Sequence, residues 1–335
     1  MSQSQRPSDA GELPRPGSLR RLVSELAIQD YLVAVFMCML IYVSVTAPSS
    51  APQRRVSALL VALGSFNLAT VILVRTHWLS WSWPRAILYR LALLLPVQSS
   101  YFILGTLLPI VSPHSFDREL YHLDLTLFGV EPALALDDLV NTWTSEWFAF
   151  FYFCYFFIIA IHIFGILFFS RRARVLGEFS FGFIFCFCLG HTLYMLVPGF
   201  GPYRALAPLF ENPFPDAQWV DMVMGVVASG GAQKDIFPSL HTAAPTFVAL
   251  FSYRQRHLVP FRYTWPVVFF FALNIMGATL FLRWHYVVDV VAGLLLAAAA
   301  CELGMRVTEH ERWRRAKHGL SPMWPPLPTR AGSQR

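Results

Sequence analysis

Eight apolar runs limit what this chain can become. A hydrocarbon layer of about 30 Å is crossed by roughly 20 residues of helix, and inside it the backbone must satisfy its own hydrogen bonds. Runs of suitable length lie at 31–47, 56–74, 86–111, 147–169, 179–197, 239–253, 264–282 and 286–304. The sixth is short, and the third contains Pro96 and is long enough to tilt or kink. With 56% of residues hydrophobic and 14% charged, an ordinary soluble domain is excluded. The expected fold is all-α, a polytopic transmembrane helix bundle of about eight spans.

The net charge of +6 invites a nucleic-acid reading, but the basic residues form short clusters between apolar runs rather than one basic face. Membrane orientation explains them better. Arg6, Arg15, Arg20 and Arg21, the segment RTHWLSWSWPR, RRAR at 171–174, the loop with Arg254, Arg256 and Arg262, and the Arg-rich tail after Gly304 all fall on one side. The positive-inside rule makes that side cytoplasmic, with both termini on it. Arg54 and Arg55 are exceptions. The opposite loop 112–146 carries seven acidic residues against Arg118 alone.

The five cysteines all lie in apolar runs without zinc or disulfide spacing, and read as small hydrophobes. The first 30 residues lack an apolar signal core, so the first span is expected to act as an uncleaved anchor. The tails 1–26 and 306–335, rich in Pro, Arg and Ser, are expected to be poorly ordered.

Three polar stretches fall on the side opposite the basic loops: PGFGPYR at 198–204, KDIFPSLH at 234–241 and RWHYVVD at 283–289. In the last, His285 and Asp289 are four apart, one helical turn. A carboxylate there fixes the imidazole tautomer and leaves the other nitrogen basic. Asp289 is also an ionisable group in an apolar stretch, where such groups are costly and usually functional. In FPSLHT, Pro238 at a first helical position and Ser239 start a helix whose N-terminus attracts anions, phosphate above all. His241 sits about one turn in, and Lys234 or Arg283 adds charge. Arg204 suits phosphate, or equally lipid headgroups. Lys234 is left three roles: phosphate binding, pairing with Asp235, or facing water.

Two histidines, one with a carboxylate, plus cations and a helix start describe phosphoryl transfer without a metal. One histidine attacks phosphorus and the other protonates the leaving alkoxide. No nucleotide loop, acidic magnesium motif or zinc motif is visible, and no cofactor is expected. A transporter lined by His162 and His191 is the competing class, but the sequence lacks an internal repeat and its polar groups cluster at one face.

PSLH followed by HYVVDVVAG resembles two signatures of the type 2 phosphatidic acid phosphatase superfamily, which are membrane lipid phosphatases and phosphotransferases. GPYR, FPSLH, LRWHYVVD and LDLTLFGVEPAL at 123–134 look closest to its inositolphosphotransferase branch. The resemblance covers roughly 115–300. It implies a six-helix phosphatase-like core, with 27–111 as N-terminal transmembrane helices and 112–305 as the catalytic membrane domain.

The resemblance also implies that His285 forms a phosphohistidine, that Asp289 orients it, that His241 is the general acid, and that Ser239 binds phosphate. The family's first signature, Lys followed by Arg-Pro, is absent, Leu240 stands where the phosphatases have Gly, and Thr279 occupies the usual arginine position. Arg204 and Arg283 are the candidate replacements. The implied partners are a phospholipid or lipid-phosphate substrate and a hydroxyl or water acceptor. The lipid and the oligomeric state are not encoded in any motif.

Overall fold

The computed structural model describes residues 19–79, 81–229 and 234–327. Its described residues form thirteen α-helices and no strand beyond one isolated bridge. In order these are α1 (Leu19–Glu25), α2 (Ile28–Thr46), α3 (Ala51–Arg75), α4 (Ser82–Val111), α5 (Asp117–Phe128), α6 (Pro132–Ala135), α7 (Thr142–Phe169) and α8 (Ala173–Leu196). Then follow α9 (Pro202–Ala205), α10 (Gln218–Ser229), α11 (Leu240–Arg254), α12 (Phe261–Phe281) and α13 (Val287–Lys317).

Every apolar run becomes a helix, with caps where the sequence turns polar. Ser50 accepts the Gln53 amide at 3.2 Å to start α3, and Asn141 accepts the Trp143 and Thr144 amides at 3.0 and 3.1 Å to start α7. Seven helices, α2, α3, α4, α7, α8, α12 and α13, are long and apolar enough to cross a membrane, which makes this an integral multi-pass bundle. The eighth, α11, has fifteen residues, about 22 Å of helix. It is enclosed by α7, α8, α12 and α13. The third run is one helix of thirty residues, continuous through Pro96 and Pro109.

The bundle has two parts. Helices α7, α8, α11, α12 and α13 form the core around α11, and α2, α3 and α4 dock on it through α8. α13 approaches the start of α11 closely at Gly293, where a Cβ would lie 2.5 Å from the Ser239 carbonyl. The missing side chain lets α13 lie against the start of α11, which sets the distance between the two signature segments.

The C-terminal segment differs from the expected poorly ordered tail. α13 runs on to Lys317, and Ser321–Pro325 folds back with Met323 and Trp324 buried. The segment's carbonyls explain this. Arg75 donates to Pro322 and Met323, Arg90 to Pro325 and Arg315 to Ser321, so the segment is held through its backbone by buried guanidinium groups. At the other terminus, residues 19–25 of the expected tail are helical, while 1–18 and 328–335 lie outside the described residues.

Candidate active site

The three polar stretches meet at one end of the bundle, joined by their backbones. Gly199 donates to the Lys234 carbonyl at 3.2 Å, Tyr203 to Arg283 at 2.6 Å and Ser239 to Asp289 at 3.0 Å. Gly201 makes the first turn possible: its φ is +78°, and a Cβ there would lie 2.2 Å from the Trp284 carbonyl.

The acidic residues of 112–146 hold this layer in place. Asp117 accepts the amides of Phe200 and Gly201, both at 2.8 Å. Asp137 accepts those of Glu211 and Asn212 at 2.8 and 3.1 Å. Glu146 accepts Trp219 at 2.8 Å at the start of α10. Glu131 is buried and accepts the Ala133 amide at 3.2 Å. Burial pushes its carboxyl up to about 7, with Asp124 and Asp289 adding to the effect.

Within this frame the two histidines face each other, their ring centroids 6.1 Å apart. His241, on the first turn of α11, stacks on Tyr152 at 4.6 Å and lies 4.5 Å from Tyr155, both from α7. His285 is 3% exposed, and its Nδ1 lies 3.4 Å from Asp289 Oδ2. That is longer than an ordinary hydrogen bond, because the same oxygen accepts the Tyr286 amide at 3.0 Å. Burial holds the His285 imidazole down to about 4, against the opposing pull of the Asp235 charge and the Ile236 backbone. At neutral pH the ring is therefore uncharged and keeps a lone pair.

The two helix starts at the site differ. At α13 the Asp124 carboxylate takes the Val287 and Val288 amides at 2.6 and 3.0 Å, so that end already holds an anion. At α11 no carboxylate is bonded among the described residues, and the cap is the Ser239 hydroxyl, which accepts the Thr242 amide at 3.2 Å. Pro238 thus lies just before the cap rather than at the first helical position. The Ser239 oxygen is used as an acceptor and its O–H remains a donor.

The expected phosphate cations separate. Arg283, at φ +66°, turns its guanidinium away to pair with Asp137 at 2.5 Å and donate to the Asn212 carbonyl, between the rings of Phe210 and Phe214. Lys234 neither pairs with Asp235 nor faces water. Its Nζ donates to the carbonyls of Ser112, Pro113 and His114 at 2.8, 3.2 and 3.2 Å, at the C-terminal end of α4. Arg204 is exposed, with its guanidinium 4.1 Å from the Phe200 ring centroid.

Sequence reasoning missed Asp117 and Asp124 as supports, and Tyr152 and Tyr155 as the wall behind His241. Among the described residues no group of three or more His, Cys, Asp or Glu is placed to hold a metal ion. Of the competing transporter residues, His191 bonds Ser100 Oγ of α4 at 2.8 Å and His162 bonds the Ile158 carbonyl of its own helix at 2.8 Å.

Comparison with known proteins gives one match. The model of a family described as the PAP2 superfamily matches residues 118–303, more than half of the chain, and spans both histidines. No curated protein and no solved structure matches.

Proposed function

The chain belongs to the PAP2 superfamily of lipid phosphatases and phosphotransferases, and within it we propose that this protein is a phospholipid headgroup transferase of the inositolphosphotransferase type, working through a phosphohistidine. The observation that carries this reading is the facing pair His241 and His285, with Asp289 at 3.4 Å from His285 Nδ1.

In the first half-reaction Nε2 of neutral His285 attacks the lipid phosphorus and a P–N bond forms. The P–O bond to the leaving alcohol breaks, and His241, protonated when the phosphate anion sits beside it, delivers its proton to that oxygen. Asp289 holds Nδ1 and stabilises the positive charge that the ring gains. The open start of α11, the Ser239 hydroxyl and Arg204 receive the phosphoryl oxygens. In the second half-reaction His241 takes a proton from an acceptor hydroxyl. That oxygen attacks phosphorus, the P–N bond breaks, and His285 returns to its neutral form.

Transfer rather than hydrolysis is favoured by the enclosure of the site. His285 is almost wholly buried, and Tyr152 and Tyr155 wall off His241, so bulk water has poor access to a phosphohistidine. The site lies extracytoplasmically. In support, Arg85, Arg171, Arg172, Arg254, Arg256 and Arg262 lie in or beside the loops joining α3 to α4, α7 to α8 and α11 to α12, at the opposite end.

The test uses purified protein with headgroup-labelled phosphatidylinositol and phosphatidic acid, each with and without a ceramide or diacylglycerol acceptor. Movement of label to the acceptor is expected. Release of inorganic phosphate from phosphatidic acid, with no transfer to any acceptor, would make the protein a phosphatase instead.

A further inference from the structure

Between α9 and α10 the chain crosses the segment that carries His285. Phe210 packs with Leu120, Leu206, Ile236 and Tyr286, whereas Phe214 packs with Tyr152, Phe281 and Leu282. One ring thus joins the cluster that holds the residue after His285, and the other joins the cluster that holds the turn before it. Between the two rings lies the Arg283 guanidinium, 4.0 Å from the Phe210 centroid and 4.3 Å from that of Phe214.

The same guanidinium pairs with Asp137 at 2.5 Å and donates to the Asn212 carbonyl, also at 2.5 Å. Asp137 in turn accepts the Glu211 and Asn212 amides, so this crossing segment is tied to one cation and its counter-ion. Arg283 is itself fixed through its backbone: its amide donates to the Leu280 carbonyl at 3.0 Å, and its carbonyl accepts the Tyr203 amide at 2.6 Å. Its φ of +66° is uncommon for a residue with a side chain, and it sends the guanidinium to the crossing segment while the next residues carry His285 into the site. A conformation of that kind persists where the surroundings hold it, and it recurs at functional sites.

A planar cation between two rings, with a carboxylate at its edge, is a directional fastening that lysine does not reproduce. What it fastens is residues 210–214, which lie across the segment bearing the nucleophile. The fate of a phosphohistidine depends on how well water is kept from it.

We propose that Arg283 fastens 210–214 as a cover over the phosphohistidine, which makes it a specificity-determining residue for transfer over hydrolysis. This deepens the transferase reading and rests on it. With the cover in place a lipid hydroxyl gives its proton to His241, its oxygen bonds phosphorus, and the P–N bond breaks. With the cover loosened a water takes the same place, gives its proton to His241, and releases the headgroup as a free phosphomonoester.

The test is one assay of the full chain in lipid nanodiscs with headgroup-labelled phosphatidylinositol and a ceramide acceptor. Transfer leaves the label in a lipid, and hydrolysis releases it as water-soluble inositol phosphate. The readout is the ratio of the two products, which a variant that is merely less folded does not change. Arg283→Met is expected to raise hydrolysis relative to transfer about 10-fold, and Arg283→Lys and Phe214→Leu about 3-fold each. An unchanged or lower ratio in Arg283→Met, with both products falling together, overturns the proposal. Should Arg283→Met fail to insert because Asp137 is left buried without its partner, Phe214→Leu keeps both charges and decides the matter. A raised ratio in it supports the cover, and an unchanged or lower one overturns it. A wild-type protein that makes no labelled product lipid at all would instead remove the transferase reading, which separates the two failures.

Discussion

Two buried polar clusters sit at opposite ends of this bundle, and they are built differently. At the end away from the histidines, Asp30 accepts Arg75 Nε at 2.8 Å and the Tyr89 hydroxyl at 2.6 Å, and Arg75 donates onward to the carbonyls of Pro322 and Met323. Glu311 accepts Arg315 at 2.7 Å, and Arg315 donates to the Ser321 and Glu25 carbonyls at 2.6 and 2.8 Å. Each charge there has short partners. At the other end, His285 Nδ1 and Asp289 Oδ1 are buried with no hydrogen-bond partner among the described residues, and the histidine–carboxylate contact is stretched to 3.4 Å. A cluster whose charges are all paired fixes the structure, whereas one whose histidine and carboxylate keep spare valences beside an open helix start is prepared for a ligand.

The difference breaks most sharply under substitution of the nucleophile. His285→Ala should cost at least about 1,000-fold in turnover while the protein inserts and elutes as the wild type does. Activity assay beside size-exclusion chromatography checks it. Next in size is the opposite cluster. Arg75→Ala leaves Asp30 buried without its ion pair and should cost about 3–5 kcal/mol of stability, with the folded fraction turning over normally. Denaturation in mixed micelles, with kcat normalised to folded protein, reads both quantities.

A smaller effect is expected at the turn that joins the site's segments. Gly201→Ala forces a side chain into a backbone conformation suited to glycine and against the Trp284 carbonyl, costing about 1–3 kcal/mol and lowering kcat together with stability. The smallest effects are two opposed pH slopes. His285 falls from 6.5 to about 4 on folding, so between those values the unfolded chain binds a proton that the folded chain refuses, and stability rises with pH. Glu131 rises from 4.5 to about 7, so the folded chain holds a proton that the unfolded chain has released, and stability falls as pH rises across that window. Thermal midpoints against pH should therefore gain a steeper upward slope in Glu131→Gln and a flatter one in His285→Ala.

Much of the fold could be read from the apolar runs, because helices in a hydrocarbon layer have no alternative partners for their backbone. The 286–304 run failed only at its end. α13 continues because Glu311 and Arg315 pair along it, and the following residues fold back because their carbonyls meet Arg75 and Arg90 from the third and fourth helices. Such a fit depends on residues more than 200 positions away and leaves no trace in local composition. His241, His285 and Asp289 stood out because ionisable groups in apolar surroundings are rare. Two of the cations turn elsewhere, because a charge near a histidine in sequence says nothing of its direction. Arg283 turns to Asp137, and Lys234 to the end of α4.

The most direct test is to trap the enzyme during turnover of phosphorus-labelled lipid and locate the label. Acid-labile, base-stable label on the peptide bearing His285, absent from His285→Ala, is the predicted result. Turnover without such label, or label on any other residue, would contradict the phosphohistidine mechanism.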